Sequence, residues 1–296
     1  MKQINMHINK CPLCEHREFR KKLITKDYSL TQEEFTIVEC VGCGFLYTNP
    51  RPSEENIGEY YKSSNYISHT NQSSGLFGFV YQFLRNRALT LKRSWIEKYA
   101  KPAKLLDYGS GTGEFLNYMQ EHGWSVKGVE IADGPRVKSQ SKYRIEVLKP
   151  EELRSEPNTT YDVVTMWHVL EHIDDLINSV SQILSKLKPG GHLILALPNP
   201  ESYDAKVYKG FWAAWDVPIH FYHFKKKDVE LLAAKTGLEL VKTINMPFDS
   251  FYVSLLSEQY KRGRKSWFRA VWVGFLSNLK AQKNNASSLT YVLRKK

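Results

Sequence analysis

Leu105-Leu106-Asp107-Tyr108-Gly109-Ser110-Gly111-Thr112-Gly113-Glu114-Phe115 sets three glycines directly between an apolar run of strand character and the start of an amphipathic helix. Glycine at these positions lets the backbone approach a ligand closely, and the unpaired amides of a helix start face whatever binds there. Seventeen residues past Gly113, at the end of the next apolar run, stands Glu130, where a carboxylate can accept both hydroxyls of a ribose. The pair predicts a nucleoside-bearing cofactor. A dinucleotide fingerprint asks for its third glycine three positions after the second. Here that position is Glu114, a carboxylate where a pyrophosphate would lie, so a nicotinamide cofactor fits poorly.

Outward from this turn, apolar runs alternate with amphipathic stretches. Strands are expected at 104–108, 125–131, 145–148, 161–167 and 192–198, and helices over 113–122, near 136–143 and over 176–187. Strands joined through helices need crossover connections, which predicts an α/β fold with a mostly parallel sheet and helices on both faces. A helix over 227–236 and strands near 238–244 and 289–295 complete the domain, set at 101–296. About 40 residues part those last two strands, too many for an ordinary connection, so a functional insertion is placed at about 249–286. Upstream, 53–100 reads as a linker and an N-terminal helix acting as a lid. Its first part, 53–74, is rich in Ser and Asn, with Tyr60, Tyr61 and Tyr66 able to fold back. From Leu76 to Tyr99 the apolar positions Leu76, Phe79, Val80, Phe83, Leu84, Leu91, Trp95 and Ile96 mostly follow helical spacing.

The run Asp107-x-Gly109-x-Gly111-x-Gly113 resembles motif I of the class I S-adenosylmethionine-dependent methyltransferases. Tyr161-Asp162-Val163-Val164 followed by His168-Val169-Leu170-Glu171-His172 resembles that family's fourth strand and the turn after it. Leu187-Lys188-Pro189-Gly190-Gly191-His192-Leu193 resembles the turn into its fifth. The resemblance covers residues 104–200. It implies a Rossmann-like sheet whose last strand is antiparallel, S-adenosylmethionine as cofactor, and methyl transfer as the activity. It places Asp107, Gly109, Ser110, Gly111, Gly113 and Phe115 around the methionine-side turn, Glu130 and Ile131 at the ribose, and Trp167 and His168 beside the methionine end. One stretch departs from the family: Val147-Leu148-Lys149-Pro150 stands where an acidic or amide residue often meets the adenine, so no adenine contact is assigned.

Methyl transfer is an in-line displacement in which the cofactor brings the electrophile, so the protein positions the acceptor and, where needed, removes a proton. His168 falls at the carboxyl end of the fourth strand, the edge at which open α/β sheets bind ligands. Glu171 and His172 read as holding the helix start. Trp212, Trp215, His220, Tyr222 and His223 crowd one short window after strand five and predict an aromatic pocket with groups titrating near neutrality. Pro218-Ile219-His220-Phe221-Tyr222-His223-Phe224 resembles a stretch of some small-molecule and sugar-modifying methyltransferases. The candidate catalytic residues are therefore His220, His223 and His168, with His220 the first choice as base.

All four cysteines lie near the N-terminus, as Cys11-Pro-Leu-Cys14 and Cys40-Val-Gly-Cys43. Two such knuckles deliver four thiolates tetrahedrally to one zinc ion. Residues 1–52 are expected to form a small zinc-ribbon-like module in which a closed four-cysteine site folds a unit too small to hold by burial alone. A redox pair or free thiols are the alternative.

The chain has 42 Lys and Arg against 31 Asp and Glu, and from Ala205 onward 17 against 6, so the whole excess of +11 sits in the last third. Residues 261–283 carry Lys261, Arg262, Arg264, Lys265, Arg269, Lys280 and Lys283, interleaved with Trp267, Phe268, Val271, Trp272, Phe275, Leu276 and Leu279 at helical spacing. One helix with a broad apolar face is expected there. It would pack on the sheet as core, lie on an anionic membrane surface or a lipid-linked substrate, or meet nucleic acid or protein. No signal segment or membrane span is read, which points to a cytoplasmic protein, possible contact with the membrane being peripheral. The reading is a methyltransferase acting on a small-molecule, sugar or lipid-linked acceptor. RNA methylation and a non-catalytic cofactor-binding or zinc adaptor are the alternatives. Against RNA stands the neutral balance of the first 204 residues.

Overall fold

The computed structural model describes residues 5–62, 76–282 and 284–296. Tyr66 and Lys283 lie outside the described residues. The N-terminal part holds strands β1 (Asn5–Met6), β2 (Phe19–Lys26), β3 (Glu34–Cys40), β4 (Leu46–Thr48) and β5 (Arg51–Pro52). Helix α1 (Leu76–Glu97) leads to β6 (Lys104–Tyr108), α2 (Glu114–Gln120), β7 (Ser125–Val129), α3 (Asp133–Tyr143), β8 (Val147–Leu148) and β9 (Tyr161–Trp167). Then come α4 (Leu176–Lys186), β10 (Leu187–Pro198), α5 (Tyr203–Tyr208), β11 (Tyr222–His223), α6 (Lys226–Lys235), β12 (Leu238–Met246), α7 (Asp249–Arg262), α8 (Trp267–Leu279) and β13 (Ser288–Lys295).

Seven strands form the main sheet in the order β12-β13-β10-β9-β6-β7-β8. β13 runs antiparallel to both its neighbours, β10 and β12, while β10, β9, β6, β7 and β8 pair in parallel. This is the Rossmann-like sheet with an antiparallel last strand. The chain leaves β6 towards β7 and returns to β9 on its other side, so the strand order reverses there and a crevice opens at the carboxyl ends of β6 and β9. Leu105, Leu106, Val163, Val164, Ile194 and Leu195 fill the sheet's interior, each at most 1% exposed. Fully parallel strands are covered on both faces, which is why these runs are apolar without alternation.

Two expectations are corrected. Leu187, assigned to the end of a helix, begins β10 instead. Fully buried and paired with Tyr161, it enters the sheet before a register break that carries the Pro189-Gly190-Gly191 turn. The apolar set from Trp267 to Leu279 does lie on one helix, α8, but the basic stretch as a whole begins in α7. Gly263, with φ +70°, caps α7 in the left-handed conformation and separates it from α8. In α8 the small residues Ala270, Gly274 and Ser277 turn inward with Val273, and a side chain at Gly274 would collide with Phe251 of α7. The large ones, Trp267, Phe268, Val271, Trp272, Phe275 and Leu279, point outward, Phe268 94% exposed.

The second sheet, β11-β4-β3-β2, is antiparallel and joins the two ends of the chain: β11 comes from beyond β10, whereas β2 to β4 belong to the cysteine-bearing segment. Phe45, Tyr47, Tyr222 and Phe224 stack at this junction. Tyr60 and Tyr61 do fold back, Tyr60 donating to Glu33 (2.6 Å) and Tyr61 reaching His172 (3.2 Å).

Candidate active site

The three glycines between β6 and α2 all have positive φ, +80° at Gly109, +54° at Gly111 and +81° at Gly113. Their reasons differ. A Cβ at Gly109 would collide with Val169 and one at Gly113 with Ser139, so these two permit the turn to pack against its neighbours. At Gly111 a Cβ would meet nothing within 4 Å, so this glycine borders the open side, where a ligand can approach the backbone. The Gly109 and Ser110 amides both donate to the Val129 carbonyl (2.7 and 2.9 Å), stitching the turn to the end of β7.

Glu130 follows β7 and is 9% exposed. Its carboxylate accepts the Gly111 amide at 2.8 Å and the Ala132 amide at 2.9 Å. Each oxygen retains a lone pair, enough for two sugar hydroxyls. Beside it Ile131 is 80% exposed, an apolar platform at the crevice rim. Two polar groups along the same edges, the Ser110 hydroxyl and the Trp167 indole N–H, are buried without a hydrogen-bond partner. Buried orphans of this kind are expected where a ligand completes the site. The donor set therefore fits a nucleoside whose sugar meets Glu130 and whose other end runs over Gly111 towards Trp167.

Asp107 is buried and accepts from Thr165 at 2.6 Å. Burial pushes its pKa up to about 6 against the opposing pull of the Thr165 hydrogen bond and Lys92, with Glu130 adding to the rise. Lys92 comes from α1 and lies 4.2 Å from the centre of the Trp167 ring, near Phe115, which packs edge-on against Trp167. Burial lowers the Lys92 pKa while Asp107 and Asp249 resist. Lys92 escaped the sequence reading because nothing in its own helix marks it.

The histidines separate into distinct environments. His168, at the end of β9 with φ +57°, sets its Nε2 3.1 Å from the Asp249 carboxylate and its Nδ1 3.4 Å from Glu171. Burial opposes its charge, but Asp249 and Glu171 together push its pKa up to about 9, so it stands as an imidazolium. His223 is shut in, its Nε2 3.2 Å from the Thr48 hydroxyl and its ring edge-on to Trp215, and burial pushes its pKa down to about 3. Its geometry is that of a core histidine. His220 places Nδ1 3.0 Å from the Ala214 carbonyl and is kept neutral by burial, which holds its pKa well below the ordinary histidine range, with His172 and His223 adding to the effect.

The expected open aromatic pocket is also corrected. Trp212 and Tyr222 are each 2% exposed, and Trp212 donates to Asp204 (2.8 Å) while Trp215 donates to the Lys209 carbonyl (2.8 Å). These rings are core because β11 is pinned to β4, drawing the whole segment against the cysteine-bearing sheet.

The four cysteines converge, with Sγ separations of 3.7 Å for Cys11–Cys43 and 3.5 Å for Cys14–Cys40, and none forms a disulfide. Four thiolates about 2.3 Å from a central ion sit about 3.8 Å apart, so the cluster has the dimensions of a tetrahedral zinc site.

Residues 81–243, just over half of the chain, match the family described as a methyltransferase domain. The chain belongs to this methyltransferase family. The enzyme uses S-adenosylmethionine, and the crevice described above lies within the matched span. Relatives include ubiquinone biosynthesis O-methyltransferases. That of Nitrosospira multiformis is 28% identical over 174 residues, covering 54% of this chain and 73% of that one. That of Saccharophagus degradans is 26% identical over 190 residues, covering 59% and 78%. Among solved structures, the magnesium protoporphyrin IX methyltransferase of Synechocystis aligns over 82% of this chain and all of its own, with a TM-score of 0.54 at 13% identity. A methyltransferase from Archaeoglobus fulgidus aligns over 75% of this chain with a TM-score of 0.51 at 21% identity. At such identities these likenesses show the methyltransferase fold.

Proposed function

We propose that this methyltransferase moves a methyl group from S-adenosylmethionine to an oxygen of a small, largely apolar or lipid-linked acceptor. The observation that carries the cofactor assignment is Glu130 standing against Gly111 at the strand-order reversal. The oxygen acceptor is supported by the relatives that are named O-methyltransferases. Bound cofactor would supply an electrophilic methyl on a sulfonium. Glu130 would hold its ribose, Gly111 and Ser110 would bound its amino-acid portion, and Trp167, backed by Phe115 and Lys92, would wall the methionine end. The clamp of His168 between Asp249 and Glu171 would fix the floor on which the acceptor lies, since it ties α7 to the end of β9. In-line attack needs this positioning more than it needs acid or base chemistry. Purified enzyme incubated with methyl-labelled cofactor and fractionated cell extract is expected to send label into the organic-soluble pool. Label in RNA instead would overturn the acceptor assignment.

We also propose that Cys11, Cys14, Cys40 and Cys43 hold a structural zinc ion, a closed site with no position left for substrate.

We further propose that α8 lies on an anionic bilayer surface, bringing the enzyme to lipid-linked acceptors. Support comes from its outward Trp267, Phe268, Trp272 and Phe275 and from the charges around them. Arg262 and Arg269 share the one carboxylate of Glu258, at 2.8 and 3.5 Å, so a net positive charge remains there and adds to Lys261, Arg264, Lys265 and Lys280, and no acidic residue follows Glu258 in the sequence. Apolar side chains ringed by cations match an interface of acyl chains beneath acidic headgroups. No described helix is long and apolar enough to cross a membrane. Sedimentation with vesicles containing acidic lipid is expected to carry the protein down at low salt, and Phe268→Asp with Trp272→Ser to weaken this by ~10-fold or more. Protein that stays in the supernatant with acidic vesicles would refute the surface.

A further inference from the structure

Glu171 and His172 follow β9 in a single helical turn, Leu170–His172, and His220 precedes β11. The Phe221 amide donates to the Glu171 carbonyl at 2.8 Å, drawing the two segments together. One donor atom from each of Glu171, His172 and His220 lies within 4.8 Å of the other two. Among the described residues this is the one such cluster besides the four cysteines.

Both rings are tethered through Nδ1 to backbone carbonyls. His172 Nδ1 lies 3.0 Å from the Ile219 carbonyl, and His220 Nδ1 lies 3.0 Å from the Ala214 carbonyl. A carbonyl oxygen only accepts, so donation to it puts the hydrogen on each Nδ1 and leaves a lone pair on each Nε2; at His172 the Tyr61 hydroxyl, 3.2 Å from the same Nδ1, then serves as a second acceptor. Imidazoles that ligate metals are fixed in this way, by donating the far N–H to a backbone carbonyl. The rings meet edge to face with centroids 4.6 Å apart.

The third member is a buried carboxylate with one charged neighbour. Glu171 is 0% exposed, and neither of its carboxylate oxygens has a hydrogen bond. The nearest cation, His168 Nδ1 at 3.4 Å, is close enough to count as an ion pair but makes no hydrogen bond, and His168 sends its other nitrogen to Asp249. The carboxylate thus keeps lone pairs on both oxygens beside a single ion-pair neighbour. A further carboxylate, that of Asp216, stands 3.9 Å from His220 Nε2.

We propose that Glu171, His172 and His220 together bind a divalent transition-metal ion, through one carboxylate oxygen and two imidazole nitrogens. Two imidazoles and a carboxylate suit zinc, iron, cobalt or manganese rather than calcium or magnesium, which prefer oxygen alone. Bonds of about 2.1 Å would draw the donors to roughly 3–4 Å apart, a small inward movement from their present separation. Three protein donors leave a coordination position open. This site differs from the cysteine cluster in both respects, having no thiolate and an incomplete shell. It rests on the placement of these three side chains and on nothing in the methyl-transfer reading.

The test titrates the full purified chain with Co2+, which reports its own ligands. Thiolate coordination gives intense charge-transfer absorption, whereas nitrogen and oxygen ligands give weak visible ligand-field bands. One Co2+ per chain is expected to appear with ligand-field bands and without new thiolate absorption. Two solvent-exchangeable, paramagnetically shifted proton signals should accompany it, one from each carbonyl-bound Nδ1–H. Glu171→Gln and His220→Gln should each weaken binding by more than tenfold. A circular dichroism spectrum and an S-adenosylhomocysteine affinity like those of the parent would show that the variants remain folded. Because cofactor affinity is read in the same samples, loss of the metal and failure of the methyltransferase reading are distinguishable. Co2+ entering only with thiolate bands, or nitrogen-ligated Co2+ that survives both substitutions, would overturn the site.

Discussion

Glu130→Ala is expected to weaken S-adenosylhomocysteine binding by about 10²–10³-fold, the loss of two hydrogen bonds to a charged acceptor at ~1.5–3 kcal/mol each, reduced by incomplete additivity. The effect has two sources. The carboxylate would meet the ribose directly, and it already holds the Gly111 amide at 2.8 Å and the Ala132 amide at 2.9 Å, so its removal also frees the glycine turn. Glu130→Gln separates them. Its carbonyl can keep one of those amides, but its NH2 group faces the other donor, so an intermediate loss is expected. Calorimetry with S-adenosylhomocysteine measures both variants, and thermal shifts check the order, because a ligand stabilises only what it binds. Turnover at saturating cofactor should recover far more than turnover at low cofactor. A Glu130→Ala enzyme within threefold of parental affinity would remove Glu130 from the cofactor site.

The parts of this enzyme that could be read from sequence are those whose determinants sit close together in the chain. The glycine turn, the carboxylate ending the next strand and the paired CxxC knuckles each need only local spacing. The parallel sheet followed from the alternation of periods. What escaped depends on distant partners. Asp249 meets His168 across 81 residues, and neither residue's neighbours announce the other. Lys92 reaches the site only because α1 packs over Trp167. The aromatic cluster misled for the same reason: Trp212, Tyr222 and His223 have the composition of a pocket, but the pairing of β11 with β4 makes them core. In α8 the periodicity was visible, yet a helix with apolar residues on much of its circumference must leave one side out. The small residues decided which side: Gly274 allows close approach to Phe251 of α7, Ser277 donates to the buried Asp204 of α5 at 2.6 Å, and Ala270 is buried with them.

Removing the proposed zinc, by a strong chelator or by Cys40→Ser, is expected to damage catalysis much more than cofactor binding. A four-thiolate zinc site contributes about 10–16 kcal/mol to the fold that forms it, more than a segment of this size gains from burial, so β2 to β4 should lose their order. That loss does not stop at the segment's end. β4 is the neighbour of β11, Thr48 donates to the His220 carbonyl at 2.8 Å, and the same hydroxyl meets His223. Tyr222 and Phe224 pack on Phe45, and Lys225 reaches the Gly44 carbonyl beside Cys43. The segment carrying His220 would therefore loosen, and with it Glu171, whose carbonyl accepts the Phe221 amide and whose carboxylate faces His168, while the turn bearing Gly111 is held by its own hydrogen bonds to the end of β7 and to Glu130. The expected outcome is turnover lowered by roughly tenfold or more, with S-adenosylhomocysteine affinity changed by less than about threefold, equivalent to under 1 kcal/mol. Hydrogen exchange should show the asymmetry directly, with protection lost over 19–48 and 219–224 and retained over 104–131. Uniform loss of protection across both regions would mean that the two sheets unfold as one unit, and an unchanged pattern would mean that the cysteines hold their geometry without a metal.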